Sequence, residues 1–286
     1  MIKLEVVEKR VGLKYHFSPL RYPGGKTFLF PLIDRVIKRN SINDTVYVEP
    51  YAGGAGAGLA LLCLEKVEKV VINDLDKGIY SFWKSIIYDT DRFIQKLEKI
   101  PVSIEERKKQ QKIYFDKKSK LFDKGFAAFY LNRTNVSGVL NGGPIGGKEQ
   151  KGKWKIDARF NKTSLIKRIL DLERYKNRIT ILNMDGLDVI KRYIKDKNAL
   201  IYIDPPYYEK GATLYLNHFI DKNHKQLAVL LNQNKNYNWL LTYDENNRIR
   251  ELYNKRKIVN FTIQHRAFKS KQGKEVMIFS DGLLRA

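Results

Sequence analysis

At 286 residues the chain has room for one large domain or two modest ones, and at 43% hydrophobic it can bury a substantial core. Lys and Arg number 54 against 31 Asp and Glu, a net charge of +23 that points to a polyanionic partner, with a solvated basic face as the plain alternative. The single Cys63 excludes an internal disulfide framework and reads as a packed thiol; no apolar run reaches membrane-span length, and the mixed charges of residues 1–10 do not read as a signal peptide, so a cytoplasmic protein is the default.

In chain order, residues 45–50 read as a strand, and residues 51–58, with four glycines, follow it. Residues 59–64 then open a buried helix. A Gly-rich turn between strand and helix lets a ligand approach the backbone, and the helix start favours an anionic group. The dinucleotide fingerprint fails here, because its last position falls on Leu59 or Leu61. A phosphate-binding loop fails at Gly25-Lys26-Thr27, because Leu20 stands five residues before Gly25. A third class, an S-adenosylmethionine site, needs the turn and an acid at the end of the next strand. Residues 69–74 supply that strand and Asp74; the plain alternative for Asp74 is a helix cap.

Residues 81–180 interrupt the strand pattern and hold 24 Lys/Arg against 11 Asp/Glu, more than half the basic excess. Phe82, Ile86, Phe93 and Leu97 recur at helical spacing, and residues 104–121 read as a charged helix. Residues 125–131 form an apolar helical face. Residues 137–153 are polar and Gly-rich and read as a long surface loop or hairpin.

Strands return at 179–182, 199–203 and 239–243, and a terminal hairpin is expected from 257–266 and 275–280. The expected architecture is α/β, a mostly parallel sheet with an antiparallel edge hairpin. After the strand at 199–203 come Asp204-Pro205-Pro206-Tyr207. Two prolines end the ladder and fix the turn. A carboxylate, a rigid carbonyl and an aromatic ring then share one small space. That set suits a planar amine: Asp204 and a carbonyl accept its two hydrogens, and Tyr207 stacks on its ring. The plain alternative is a strand that ends in Pro-Pro. The four His, at 16, 218, 224 and 265, are scattered; no metal site is implied, and each reads as a surface or capping residue.

Six segments in order carry a resemblance: 21–26 with Gly24-Gly25-Lys26, 49–54, 73–76, 130–135 with Asn132-Arg133, 183–188, and 204–207. From Ser18 onward the chain resembles the Dam-type, class alpha DNA adenine methyltransferases, which methylate the exocyclic amine of adenine. It departs from them at Tyr51, where the family often has Phe, and at Ala55, where it often has Gly. The resemblance implies a Rossmann-like methyltransferase sheet with an inserted, mainly helical DNA-recognition domain. The expected division is a first catalytic part at 1–80, a target-recognition insertion at 81–180, and a second catalytic part at 181–286.

It implies S-adenosylmethionine as cofactor, held by Tyr22, Gly24, Gly25, Lys26, Tyr51, Gly53, Gly54, Asp74 and Asp185. Lys26 would meet the methionine carboxylate, Asp74 the ribose, and Asp185 the cofactor's adenine. Asp204, Pro205, Pro206 and Tyr207 would be catalytic, acting on an adenine flipped out of the duplex. Double-stranded DNA is the expected partner, met by Asn132, Arg133, Asn135, Lys148, Lys151, Lys153, Lys155 and Arg159, with Asn141 as a further base reader. For Asn132 and Arg133 the plain alternative is bracing the preceding helix. Residues 208–213 would close as a lid. A cognate restriction endonuclease is an expected companion, and the chain a monomer, or a dimer on DNA. Other readings are a methyltransferase acting on RNA adenine or on protein glutamine, and an inactive DNA-binding protein.

Overall fold

A computed structural model describes residues 17–22, 25–208, 219–265 and 271–283. Gly24, lid residues 209–213 and hairpin-turn residues 266–270 lie outside the described residues, as do His16 and His218. The chain divides into two compact units. The first comprises Lys26–Leu75 and the described part of Arg178–Ala286; the second comprises Asp76–Asn177 and the described part of His16–Gly25. The units change near 76 and 177, against expected boundaries at 81 and 180, and residues 17–22 and Gly25 cluster with the second.

Along the chain, α1 (Phe30–Arg39) precedes β1 (Val46–Glu49), and α2 (Gly56–Cys63) precedes β2 (Lys69–Asn73). Five helices of the second unit follow: α3 (Lys77–Tyr88), α4 (Thr90–Lys99), α5 (Ile104–Phe115), α6 (Leu121–Thr134) and α7 (Lys162–Glu173). The first unit resumes with β3 (Ile179–Leu182), α8 (Gly186–Tyr193), β4 (Ala199–Ile203), α9 (Asp221–Gln233), β5 (Trp239–Asp244), α10 (Asn247–Leu252), β6 (Lys257–His265) and β7 (Lys271–Phe279). Among the described residues no helix is long and apolar enough to cross a membrane.

The strands form one sheet in the order β3-β2-β1-β4-β5-β7-β6. Pairs from β3 to β5 are parallel, and β7 joins β5 and β6 antiparallel. β7 starts four residues earlier than the sequence pattern places it. Alternation along the strands assigns the faces. Val48, Val71, Ile201, Leu241 and Ile278 pack with Val189, Ile190, Leu227 and Ile249 of α8, α9 and α10. Tyr47 and Val70 face α2, where a Cβ on Gly58 would lie 3.1 Å from both, so the helix approaches the sheet closely. Each fully buried aliphatic side chain contributes about 1.5–3 kcal/mol.

In the second unit the periodic residues Phe82, Ile86, Phe93 and Leu97 are all buried. Phe82 stacks on Phe129 with centroids 5.7 Å apart, and Phe93 packs edgewise on both. The expected charged helix at 104–121 stops at Phe115. Asp116 turns the chain by accepting from the Lys118 amide at 2.9 Å, and a new helix starts at Leu121. Cys63 is only partly buried, because it ends α2 rather than sitting inside it.

Candidate active site

In this order of strands, β2 and β3 lie on one side of β1, while β4 and β5 lie on the other. The switch point falls between the carboxyl ends of β1 and β4, where open α/β sheets bind ligands. The Gly-rich turn follows β1, and Asp204 follows β4.

Asp204 is fixed from two sides. Its Oδ1 accepts from the Thr242 hydroxyl on β5 at 2.8 Å, and its Oδ2 accepts from Lys26 Nζ at 3.1 Å. Its side chain keeps 22% of its exposure, so one edge remains open. Lys26 is buried. Its Nζ also lies 2.5 Å from the Tyr207 hydroxyl and 3.5 Å from Glu275 Oε2 on β7. Tyr207 donates to Glu275 Oε1 at 2.5 Å. Burial opposes the charge of Lys26, but Asp204 and Glu275 outweigh it and raise its pKa.

Two expectations change here. Lys26 is committed to the Asp-Pro-Pro-Tyr turn, because two carboxylates hold it. Tyr207 is only 4% exposed and anchored by its hydroxyl, so its ring offers almost no face for stacking. Sequence reasoning missed Thr242, Glu275 and Glu49. The available signal was a polar residue inside strands otherwise buried throughout.

Glu49 ends β1 and accepts from the Gly58 amide at 2.8 Å. Burial, with a smaller push from Asp204, raises its pKa to about 8, against the Gly58 bond. The folded protein therefore holds a proton that the unfolded chain has lost. That stabilisation is complete below about 4.5 and disappears as pH rises through about 8. Glu49→Gln is expected to gain stability over wild type across this window, by up to about 1.4 kcal/mol per pH unit. Urea unfolding at several pH values measures the difference; a constant difference would mean Glu49 does not titrate on folding.

The turns after β1, β2 and β3 are tied together. Asn73, wholly buried, donates to Pro50 O at 2.8 Å and Met184 O at 3.0 Å, and accepts from the Met184 amide at 2.9 Å. Asp74 Oδ2 accepts from the Gly53 amide at 3.0 Å. The cap of α3 falls to Asp76, which accepts from Gly78 and Ile79, so the cap reading of Asp74 is replaced. Ala55, where the resembling family often has Gly, adopts φ +47°, the left-handed region that glycine favours, at about 1–2 kcal/mol. Gly54 is buried. Asp185 caps α8 through Oδ1, accepting from the Leu187 amide at 2.8 Å. Tyr51 lies against Gly186, where a Cβ would come within 2.3 Å of its ring, and its buried hydroxyl has no hydrogen-bond partner among the described residues. Tyr22 and Gly25 belong to the second unit, where the Gly25 amide donates to Tyr22 O at 3.1 Å. His224 is buried against the Tyr243 hydroxyl at 2.8 Å, not a surface residue.

In the second unit Asn132 and Asn135 are wholly buried. Asn132 accepts from the Arg21 amide and donates to Arg21 O, both at 2.7 Å, and donates to Gly138 O at 3.0 Å. Asn135 accepts from Arg107 Nε at 2.7 Å and donates to Val139 O and Leu140 O at 2.8 and 3.0 Å. Their expected base contacts are corrected: every polar arm is used to brace the Gly-rich loop.

Arg133 differs. It is buried, and its Nε has no partner among the described residues. Burial first, then Arg168, Arg21 and Arg159, push its pKa down to about 9. None of these four arginines makes an ion pair with a carboxylate among the described residues. Lys148, Lys151, Lys153, Lys155, Arg159 and Asn141 are exposed. Among them Trp154 is 60% exposed, with Lys153 and Arg159 each 5.9 Å from its ring centroid. An exposed Trp within a basic run is a second feature that charge counting overlooks.

Comparison with known proteins bears on this arrangement. A family model described as D12 class N6 adenine-specific DNA methyltransferase matches residues 22–266. The Type II methyltransferase M.MjaIII of Methanocaldococcus jannaschii is 26% identical over 206 residues, covering 66% of this chain and 68% of that protein.

Proposed function

The chain belongs to the D12 class N6 adenine-specific DNA methyltransferase family, and we propose that the turn after β4 holds the target adenine while the turns after β1, β2 and β3 hold the methyl donor. The reaction is site-specific methylation of the exocyclic amine of adenine in DNA. That substrate sets aside the RNA and protein-glutamine readings, and the intact Asp204, Asp74 and Gly-rich turn argue against the inactive one. S-adenosylmethionine, the methyl donor of the family, supplies an electrophilic methyl group on a sulfonium.

The residues fit that donor. Asp74 offers a carboxylate at a strand end beside the Gly53 amide, for ribose hydroxyls. The orphaned Tyr51 hydroxyl and the Asp185 turn supply further polar groups. Gly53 and Gly54 complete the set. Lys26 acts through Asp204 in place of the methionine carboxylate.

Asp204 accepts one amine hydrogen and the Pro205 carbonyl the other, with Pro206 stiffening the turn. An aromatic amine is a weak nucleophile because its lone pair is spread into the ring. Hydrogen bonds to both hydrogens favour a pyramidal nitrogen aimed at the methyl group, and positioning does most of the remainder. The observation that carries this reading is Asp204, anchored by Lys26 and Thr242, at the switch point beside the Gly-rich turn. Labelled S-adenosylmethionine with unmethylated duplex plasmid DNA tests it. Label recovered as N6-methyladenine supports it; no label in DNA sinks it.

The second unit binds double-stranded DNA. Arg21, Arg133, Arg159 and Arg168 present cations without carboxylates, and Lys148, Lys151, Lys153 and Lys155 present exposed ones. Phosphates satisfy both sets, and their contacts help offset the few kcal/mol of base flipping. Replacing Lys151, Lys153 and Lys155 together with Ala is expected to lower the salt slope of DNA binding by up to about 0.9 per lost contact. Cognate and random duplexes should weaken alike. An unchanged slope would place the DNA face elsewhere. The relative's Type II designation supports a companion restriction endonuclease of the same specificity. The chain acts as a monomer, or a dimer on DNA, in the cytoplasm.

A further inference from the structure

We propose that Glu275 is the terminal proton acceptor of a buried relay that begins at Asp204 and carries away the proton released when the adenine amine is methylated. The proposal rests on the reading that Asp204 holds that amine.

Methylation leaves one proton too many on the nitrogen. The amine lone pair forms the new N–C bond, and the S–C bond pair stays on sulfur. The nitrogen then carries a methyl group, two hydrogens and a positive charge. Neutral product requires one hydrogen to leave as a proton, and the group accepting it through a hydrogen bond is Asp204. Asp204 must then become a carboxylate again before it can hold another amine.

A continuous chain of hydrogen bonds leads away from it. Asp204 Oδ2 is 3.1 Å from Lys26 Nζ, Lys26 Nζ is 2.5 Å from the Tyr207 hydroxyl, and that hydroxyl is 2.5 Å from Glu275 Oε1. One hop along each bond suffices. Tyr207 gives its proton to Glu275 and takes one from Lys26, and the Lys26 amine so freed then takes the proton from Asp204. Lys26 ends as an ammonium and Tyr207 as a neutral phenol, as they began. Asp204 returns to a carboxylate, and Glu275 becomes a neutral acid. No other reactant is needed.

Glu275 has the environment for that part. It is wholly buried on β7. Facing it are Lys26 from the segment before α1, Asp204 and Tyr207 from the turn after β4, and Tyr202 of β4. Asp244 of β5 stands opposite it in the ladder, and Glu49 of β1 lies beside Asp204. Burial raises its carboxyl pKa to about 7, with Lys26 opposing and Asp204 adding. Near neutral pH it is poised to accept a proton that an ordinary carboxylate would refuse. The relay also gives a chemical reason for the buried Tyr207 and Lys26, which a binding role alone does not.

The test is the pH profile of steady-state methyl transfer over many turnovers, where Asp204 must be recharged each time, with tritiated S-adenosylmethionine and unmethylated plasmid DNA in excess. In wild type the rate should fall about tenfold per pH unit below about pH 7, because protonated Glu275 cannot accept. Glu275→Gln should be slower by about tenfold or more at pH 8 and flat with pH. Glu275→Asp, which keeps a titrating carboxyl, should recover the limb. A wild-type limb that survives in Glu275→Gln, or a wild-type profile without one, overturns the relay. Should Glu275→Gln not fold, infrared difference spectra of wild type across one turnover carry the test. A protonated-carboxyl band that moves with 13C-glutamate labelling supports the relay, and its absence overturns it. Asp204→Ala separates the two layers: retained transfer there removes the reading of Asp204, whereas an inactive Asp204→Ala beside an unaltered Glu275→Gln removes only the relay.

Discussion

Asp204→Ala is expected to lower single-turnover methyl transfer by about a hundred- to a thousandfold, the usual consequence of removing one prepositioned hydrogen-bonding group. Cofactor affinity should stay within a few-fold, because Asp204 contacts Lys26 and Thr242 and its open edge is proposed for the amine, not the donor. The substitution removes one of two carboxylates from Lys26, and Glu275 keeps the ammonium paired. Rapid-quench assay with excess enzyme gives the rate, and titration with S-adenosylhomocysteine gives the affinity. A large loss of affinity without DNA would mean that the donor, not adenine, sits at Asp204.

Asp74→Ala is expected to act the other way round. The carboxylate fixes the Gly53 amide and faces the proposed ribose position, so its removal strikes the donor twice. A charge-assisted hydrogen bond is worth about 1.5–3 kcal/mol, so each lost bond should weaken donor binding by roughly ten- to a hundredfold. DNA affinity should change little. Calorimetry of the free enzyme with S-adenosylhomocysteine decides it, and an unchanged dissociation constant would leave Asp74 as a brace for the Gly-rich turn alone.

The strand that presents Asp204 was legible because residues 199–203 form an unbroken apolar run that ends in two prolines. Asp74 was legible for the same reason, as an acid at the end of an apolar strand. Glu275 was not: only the sheet order brings β7 near Lys26, some 250 residues away in sequence. That Lys26 pairs with Asp204 and Glu275 was not legible, because spacing cannot say which of several anions a buried cation meets. Asn132 and Asn135 misled because an amide that reads a base and an amide that holds a loop look identical in sequence. Their burial against Arg21 and Arg107 decides between them.

Asn73, at the end of β2, ties the turns after β1 and β3 to it through one side chain, which bears on how the proposed donor site opens. A loop held only by its own ends can fray independently of its neighbours. Here the turn after β1 cannot lift without leaving a buried amide unsatisfied, and the turn after β3 is held by the same amide. Opening either turn therefore strains the other through the same side chain. A ligand that touches either turn rigidifies both, so in the proposed donor site recognition of one end would prepare the grip on the other.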